Sequence, residues 1–138
     1  MEGPPKMSAD ILVVDDEADI RDLVSGILED EGHAPRAAAN SDATFEALRQ
    51  RVPQLVILDV WLQGSRLDGI EILDALKEKR PELPVVIISG HGSVETAVSA
   101  IKKGAYDFVE KPFNADRLIL AVTRALEASR LKRENFEL

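Results

Sequence analysis

A chain of 138 residues, 45% hydrophobic and 30% charged, matches one compact domain that can bury a continuous core without covalent staples. It has no cysteine, which excludes disulfides, thiolate zinc sites and cysteine nucleophiles and leaves the redox compartment unread. A formal charge of -8 and a pI near 4.8 argue against this segment gripping nucleic acid; with no membrane-length apolar run and no leader pattern, the default location is cytoplasmic.

Residues 1–7, MEGPPKM, carry Gly3, Pro4 and Pro5 and no periodicity, and read as an N-terminal extension or expression scar. From Asp10 onward, short apolar runs alternate with segments of helical period, the pattern of βα units around a parallel sheet. The first strand is Ile11 to Val14. The helix after it places Ile20, Leu23, Val24, Ile27 and Leu28 on one face, with Gly32 as its stop. The second strand, about Ala34 to Ala38, contains Pro35 and no branched residue, and rests on spacing; an edge position tolerates the proline. A helix from Ser41 uses Phe45 and Leu48. The third strand is Leu55 to Leu58, followed by a helix from Ile70 that buries Ile70, Leu73 and Leu76 before Pro81. The fourth strand, Val85 to Ile88, leads to a helix capped by Ser93, with Glu95 at its positive end and Val94, Ala97, Val98 and Ile101 inward. The fifth strand is Tyr106 to Val109, and the last helix starts at Asn114 or Ala115 and buries Leu118, Val122, Ala125 and Leu126. The segment ASRLKRENFEL has no Gly or Pro, so that helix is expected to run on toward a further domain.

Five strands alternating with five helices predict a flavodoxin-like (βα)5 α/β fold, a doubly wound parallel sheet of order 2-1-3-4-5 with right-handed crossovers. Its switch point lies between strands one and three. There, at strand ends, fall Asp15, Asp16 and Asp59, with Lys111 after the fifth strand and Ser89 after the fourth. Hard divalent cations such as magnesium take carboxylate oxygens and keep several waters. Asp16 and Asp59 suit direct ligation, Asp15 ligation through water. A carboxylate is also a nucleophile toward phosphorus when metal and ammonium neutralise the transferring group, and Asp59 is best placed for that part. Lys111 would offer a point charge and the Ser89 hydroxyl a hydrogen bond. Singly, plainer roles compete: Asp16 and Asp19 as helix caps, Ser89 on a strand-end amide, Lys111 as a solvated charge. Together those roles leave unexplained why all of them fall on one sheet edge.

In order and spacing, VVDDE, the lone Asp of VILDV, the hydroxyl of IISG, AYDF and EKPF resemble the CheY-like receiver domains of two-component response regulators, over about Asp10 to Leu126. The resemblance implies that residues 8–128 are a receiver and 129–138 begin a helical linker to a C-terminal output region. It implies that Asp59 takes phosphate from a sensor histidine kinase. It further implies that Asp15, Asp16, Asp59 and the Trp61 backbone carbonyl hold Mg2+ or Mn2+, and that Lys111 meets the phosphoryl group. Ser89 and Tyr106 would then switch the face formed by helix four, strand five and helix five, and that face would pair two copies. In the family the Lys111–Pro112 bond is usually cis.

One departure stands out: Asp59 to Gly69 is a step of ten through VWLQGSRLDG, about two residues longer than is usual, and the usual proline after the acceptor is missing. WLQGSRLDG and SGHGSVETA are most similar to the NtrX branch of NtrC-type regulators, which implies an AAA+ ATPase and a DNA-binding domain downstream. Three other functions compete with the phosphoacceptor switch, which is not itself an enzyme. A phosphohydrolase lacks its DxD because Trp61 stands where the second acid belongs. A degenerate interaction module would lack a key residue, and flavin binding rests on fold analogy alone. His91 has no second histidine at ligand spacing, and Gly90 and Gly92 are not followed by a P-loop lysine.

Overall fold

A computed structural model describes residues 8–90 and 94–137, the last five of these by backbone alone. Ser93, expected to cap the fourth helix, lies outside the described residues, as do His91, Gly92 and the 1–7 extension. The elements alternate without exception: β1 (Asp10–Val14), α1 (Ala18–Asp30), β2 (Ala34–Ala38), α2 (Ser41–Gln50), β3 (Leu55–Asp59), α3 (Gly69–Lys79), β4 (Val85–Ser89), α4 (Val94–Lys102), β5 (Asp107–Glu110) and α5 (Ala115–Glu137). All strand pairs are parallel and the order is β2-β1-β3-β4-β5.

Strand pleating divides each central strand between two cores. Ile11, Val13, Leu55, Ile57, Val86 and Ile88 meet α1 and α5 through Val24, Leu28, Leu118, Val122 and Leu126. Their neighbours Leu12, Val14, Val56, Leu58, Val85 and Ile87 meet α3 through Ile72, Leu73 and Leu76, with Phe45 and Leu48 of α2 half-buried beside them. Both faces are covered, so β1, β3 and β4 read as unbroken apolar runs.

β2 is an edge strand, and arginine supplies what its alanines lack. The Arg36 guanidinium donates to Asp10 at 3.0 and 3.3 Å and to the Ala47 and Arg51 carbonyls at 3.0 and 2.7 Å. This closes the C-terminus of α2 onto the start of β1. Burial raises the Asp10 carboxyl, but the hydrogen bonds from Arg51 and Arg36 outweigh it and hold the group below its ordinary value.

Four residues expected to pack inward on helices, and the expected start of the fifth strand, fall elsewhere. Leu23 is 50% exposed, because α1 meets the core through Val24 and Leu28 and Leu23 lies off that stripe. On α4, Val94, Val98 and Ile101 are 81%, 45% and 46% exposed, and Ala100 is the buried residue. Ala100 packs in the α3-facing core, and Thr96 and Ala97, one turn before it, are half-buried. Tyr106 is 43% exposed and stands just before β5, its N–H donating to the Val85 carbonyl at 2.7 Å. The remaining helix boundaries follow the sequence reading, including the Gly32 stop, where φ is +88° and Gly32 and His33 N–H donate to the Glu29 and Leu28 carbonyls.

Gly69 fixes the distance between α3 and the end of β3. A Cβ there would run into the Asp59 carbonyl oxygen and lie 2.7 Å from the Val60 Cα, both backbone atoms with no side-chain freedom to yield. Gly26, inside α1, has nothing within 4 Å of its Cβ position. Gly69→Ala is therefore expected to lower the unfolding free energy by about 1–3 kcal/mol through overpacking. Gly26→Ala should raise it by about 0.5–1 kcal/mol through helix propensity. Urea denaturation of the two variants checks both signs.

Candidate functional site

The C-terminal ends of β1, β3 and β5 bring together Asp15, Asp59 and Lys111. Asp15 is wholly buried and Asp59 is 3% exposed. The Lys111 Nζ donates to Asp15 Oδ2 at 2.8 Å and to Asp59 Oδ2 at 3.1 Å, linking carboxylates carried by two different strands. Backbone groups hold the members of this bridge in place. Asp15 Oδ1 accepts the Glu17 N–H at 2.9 Å, and the Asp15 N–H donates to the Ala38 carbonyl. Asp59 Oδ1 accepts the Trp61 N–H at 3.4 Å. The Lys111 N–H donates to the Ser89 carbonyl at 2.9 Å, the Lys111 stem runs past Gly90, and the Lys111–Pro112 peptide is cis.

The electrostatics follow from burial and from charge crowding. Desolvation, then the Asp15 charge, push the Asp59 carboxyl up to about 6, against the opposing pull of Lys111 and the Trp61 N–H. Burial works against the Lys111 ammonium, yet its bonds to Asp15 and Asp59 outweigh it and raise the group above its ordinary value. Lys111 is accordingly no solvated loop charge.

Asp16 does not cap α1: the N-cap residue is Glu17, without a side-chain cap, and Asp16 Oδ2 accepts the Gln63 N–H at 3.1 Å. Oxygens of Asp15, Asp16 and Glu17 lie within 4.8 Å of one another. Beside them is a cavity of about 280 Å³ lined by Asp16, Glu17, Asp59, Trp61, Gln63, Gly90 and Lys111. An all-oxygen donor set next to a cavity with room for several waters fits a hard divalent cation that keeps part of its hydration shell. Ser89, wholly buried at the end of β4, and Tyr106 are not among the lining residues. Two of the lining residues had no assigned role in the sequence reading. Glu17 is visible as the acid that closes the DDE triplet. Gln63 reaches Asp16 through a backbone N–H, which leaves no trace in residue type. A larger cavity of about 800 Å³ lies between α2 and α3, over Phe45, Leu48, Ala75 and Leu76; its one acid, Asp42, is paired with Arg66, so it is not a second site of this kind.

The lengthened loop of residues 60–68 is ordered by its neighbours. Val60 and Leu62 are buried, and Ser65 and Arg66 dock on the start of α2, through the Ser41 N–H at 2.9 Å and Asp42 at 2.6 Å. Asp68 and Glu71 then form a reciprocal capping box that opens α3.

Because the folded state binds the Asp59 proton more tightly than the unfolded chain, whose carboxyl titrates near 3.8, ionising it costs stability as pH rises from about 4 to about 6. Asp59→Asn is expected to raise the melting temperature at pH 7.5 by roughly 3–5 °C. The gain should fade as pH is lowered from about 6 to about 4, and thermal unfolding across that range checks it.

Comparison with known proteins agrees with this geometry. The profile of the response regulator receiver domain matches residues 11–123. The nitrogen assimilation regulatory protein NtrX of Azorhizobium caulinodans is 61% identical over 132 residues, covering 96% of this chain and 29% of that protein. The crystal structure of the receiver domain of NtrX from Brucella abortus superposes with a TM-score of 0.83 at 68% identity, over 86% of this chain and 98% of that one. A beryllofluoride-activated NtrC4 receiver domain dimer gives 0.81 at 42% identity, over 87% and 98%. The chain thus spans less than a third of the length of the NtrX protein that it matches. Among the described residues no helix is long and apolar enough to cross a membrane. This chain belongs to the response regulator receiver domain family and is an NtrX-like member of it.

Proposed function

We propose that Asp59 is the phosphoacceptor of this receiver, taking a phosphoryl group from the phosphohistidine of a sensor kinase. The observation that carries the reading is the Lys111 ammonium held at 2.8 and 3.1 Å between Asp15 and Asp59 beside an open cavity. An Asp59 oxygen attacks phosphorus and forms the P–O bond of an acyl phosphate. The P–N bond breaks, its electron pair returns to the imidazole nitrogen, and that nitrogen takes up a proton. Lys111 is in reach of the incoming phosphoryl oxygens and exchanges its Asp59 contact for them. Asp15, Asp16 and the backbone around Trp61 would hold Mg2+ with Asp59. The cation, when bound, neutralises phosphoryl charge and lowers the cost of bringing an anion to two buried carboxylates.

Phosphorylation adds charge where Lys111 leads directly into β5, and Ser89 and Tyr106 relay the change to the face of α4, β5 and α5. The exposure of Val94, Val98, Ile101 and Tyr106 on that side supports this part of the reading, since an apolar face of this kind serves a partner. The partner proposed is a second copy of the receiver, as in the NtrC4 dimer. Residues 8–128 then form the switching unit. The rest of α5, which continues to Glu137, leads toward AAA+ and DNA-binding domains.

Incubation of the domain with Mg2+ and acetyl phosphate is expected to add the mass of one phosphate. Asp59→Asn should abolish the adduct, and Lys111→Ala should slow its formation at least tenfold by removing an electrostatic contact. A wild-type domain that stays unmodified overturns the reading in favour of a phosphorylation-independent interaction module. Sedimentation velocity tests the second part: the phosphorylated form should sediment as a dimer that Ile101→Glu disrupts, and identical sedimentation of the two forms would refute it.

A further inference from the structure

The Gln63 N–H that meets Asp16 belongs to a short turn held on both sides. On one side Leu62 is 8% exposed and packed in the α3-facing core. On the other, after Gly64 at φ +76°, two serines exchange hydrogen bonds between the loop and α2. The Ser65 hydroxyl accepts the Ser41 N–H at 2.9 Å and donates to the Leu67 carbonyl at 2.7 Å, while the Ser41 hydroxyl accepts the Leu67 N–H at 3.3 Å. Ser41 is wholly buried, so its hydroxyl and N–H have no water to turn to, and breaking one of these bonds costs the full desolvation of the partner left behind. Arg66 on Asp42 adds an outer, exposed tie. Neither serine is among the residues lining the acidic cavity.

We infer that the Ser41–Ser65 pair is a positioning device for Asp16. By clamping the turn, it presents the Gln63 N–H at a fixed point, and that N–H in turn holds one oxygen of the Asp16 carboxylate at 3.1 Å. A divalent cation then meets a ligand whose orientation is already set, and little ordering remains to be done on binding. The loop of residues 60–68 thereby acquires a purpose, since it carries Gln63 to Asp16 and Ser65 to Ser41. This rests on the reading of Asp16 as a metal ligand.

The test is Mg2+ titration of the full chain, followed by the fluorescence of Trp61, the single tryptophan, which lines the cavity. Ser65→Ala is expected to weaken Mg2+ about tenfold, and Ser65→Thr, which keeps the hydroxyl, to stay within about threefold of wild type. In metal-free protein the Gln63 amide should exchange with deuterium about tenfold faster in Ser65→Ala and stay protected in Ser65→Thr. Equal Mg2+ affinity in wild type and Ser65→Ala, or unchanged Gln63 protection, overturns the inference and leaves the phosphoacceptor reading intact. A wild type that binds no Mg2+ instead removes the metal reading and this inference with it. Should Ser65→Ala fail to fold, Ser41→Ala, which removes the hydroxyl that accepts the Leu67 N–H, carries the same test, with a loss of about two- to fivefold expected and no loss overturning the inference.

Discussion

Two carboxylates that are almost wholly removed from water can coexist at one end of this sheet because a single ammonium group lies between them. Asp15 ends β1, Asp59 ends β3, and Lys111 reaches both from the end of β5, so one ion bridge ties an inner pair of strands to the far edge. Removing the cation would leave two uncompensated buried charges, a far larger cost than the bridge itself returns as stability. The arrangement is therefore better understood as poised chemistry than as a structural brace. Asp59 is held above its ordinary pKa, and the group that restrains it is the one that the proposed function assigns to the phosphoryl anion.

The surroundings of this bridge are made rigid by ordinary means. Gly69 lets α3 press its first residue against the Asp59 backbone, and a reciprocal capping box fixes where that helix begins. The lengthened loop between them borrows its order from α2 through Ser41, Ser65, Asp42 and Arg66. In contrast, α4 buries Ala100 and leaves Val94, Val98 and Ile101 outside. A helix that buries little apolar area is cheap to shift, and it adjoins β5, the strand that leads to Lys111. Under the proposed function, a well-tied site around Asp59 and a sparsely buried α4 suit a switch.

Legibility in the sequence followed the strength of the local signal. β1, β3 and β4 are plain in the sequence because both their faces are buried and each carries an unbroken run of four apolar residues. β2 is marked in the sequence by spacing alone, since its pairing with β1 and the Arg36 bonds to Asp10 and to two carbonyls of the α2 terminus are long-range and leave no periodic trace. On α4 the more apolar stripe, Val94, Val98 and Ile101, lies outside and Ala100 is the buried residue, a choice that periodicity alone does not make. At the site, Asp15, Asp16, Asp59 and Lys111 were legible as residue types at strand ends. The Gln63 contribution was not, because a backbone N–H is the same in every non-proline residue.

The sequence by itself determined the alternation of strands and helices, hence the doubly wound sheet, and with it which carboxylates would share the switch-point edge. It also determined the family, because motifs in order at fixed distances carry more information than any one of them. Only the tertiary structure decided the pairing: that Lys111 bridges Asp15 and Asp59 and not Asp16, that Asp16 turns to the loop instead of capping α1, and that the loop fastens to α2. These outcomes depend on distances between segments far apart in the chain, set by packing and by the demand that buried polar groups find partners, and neither is encoded in the period or composition of any single segment.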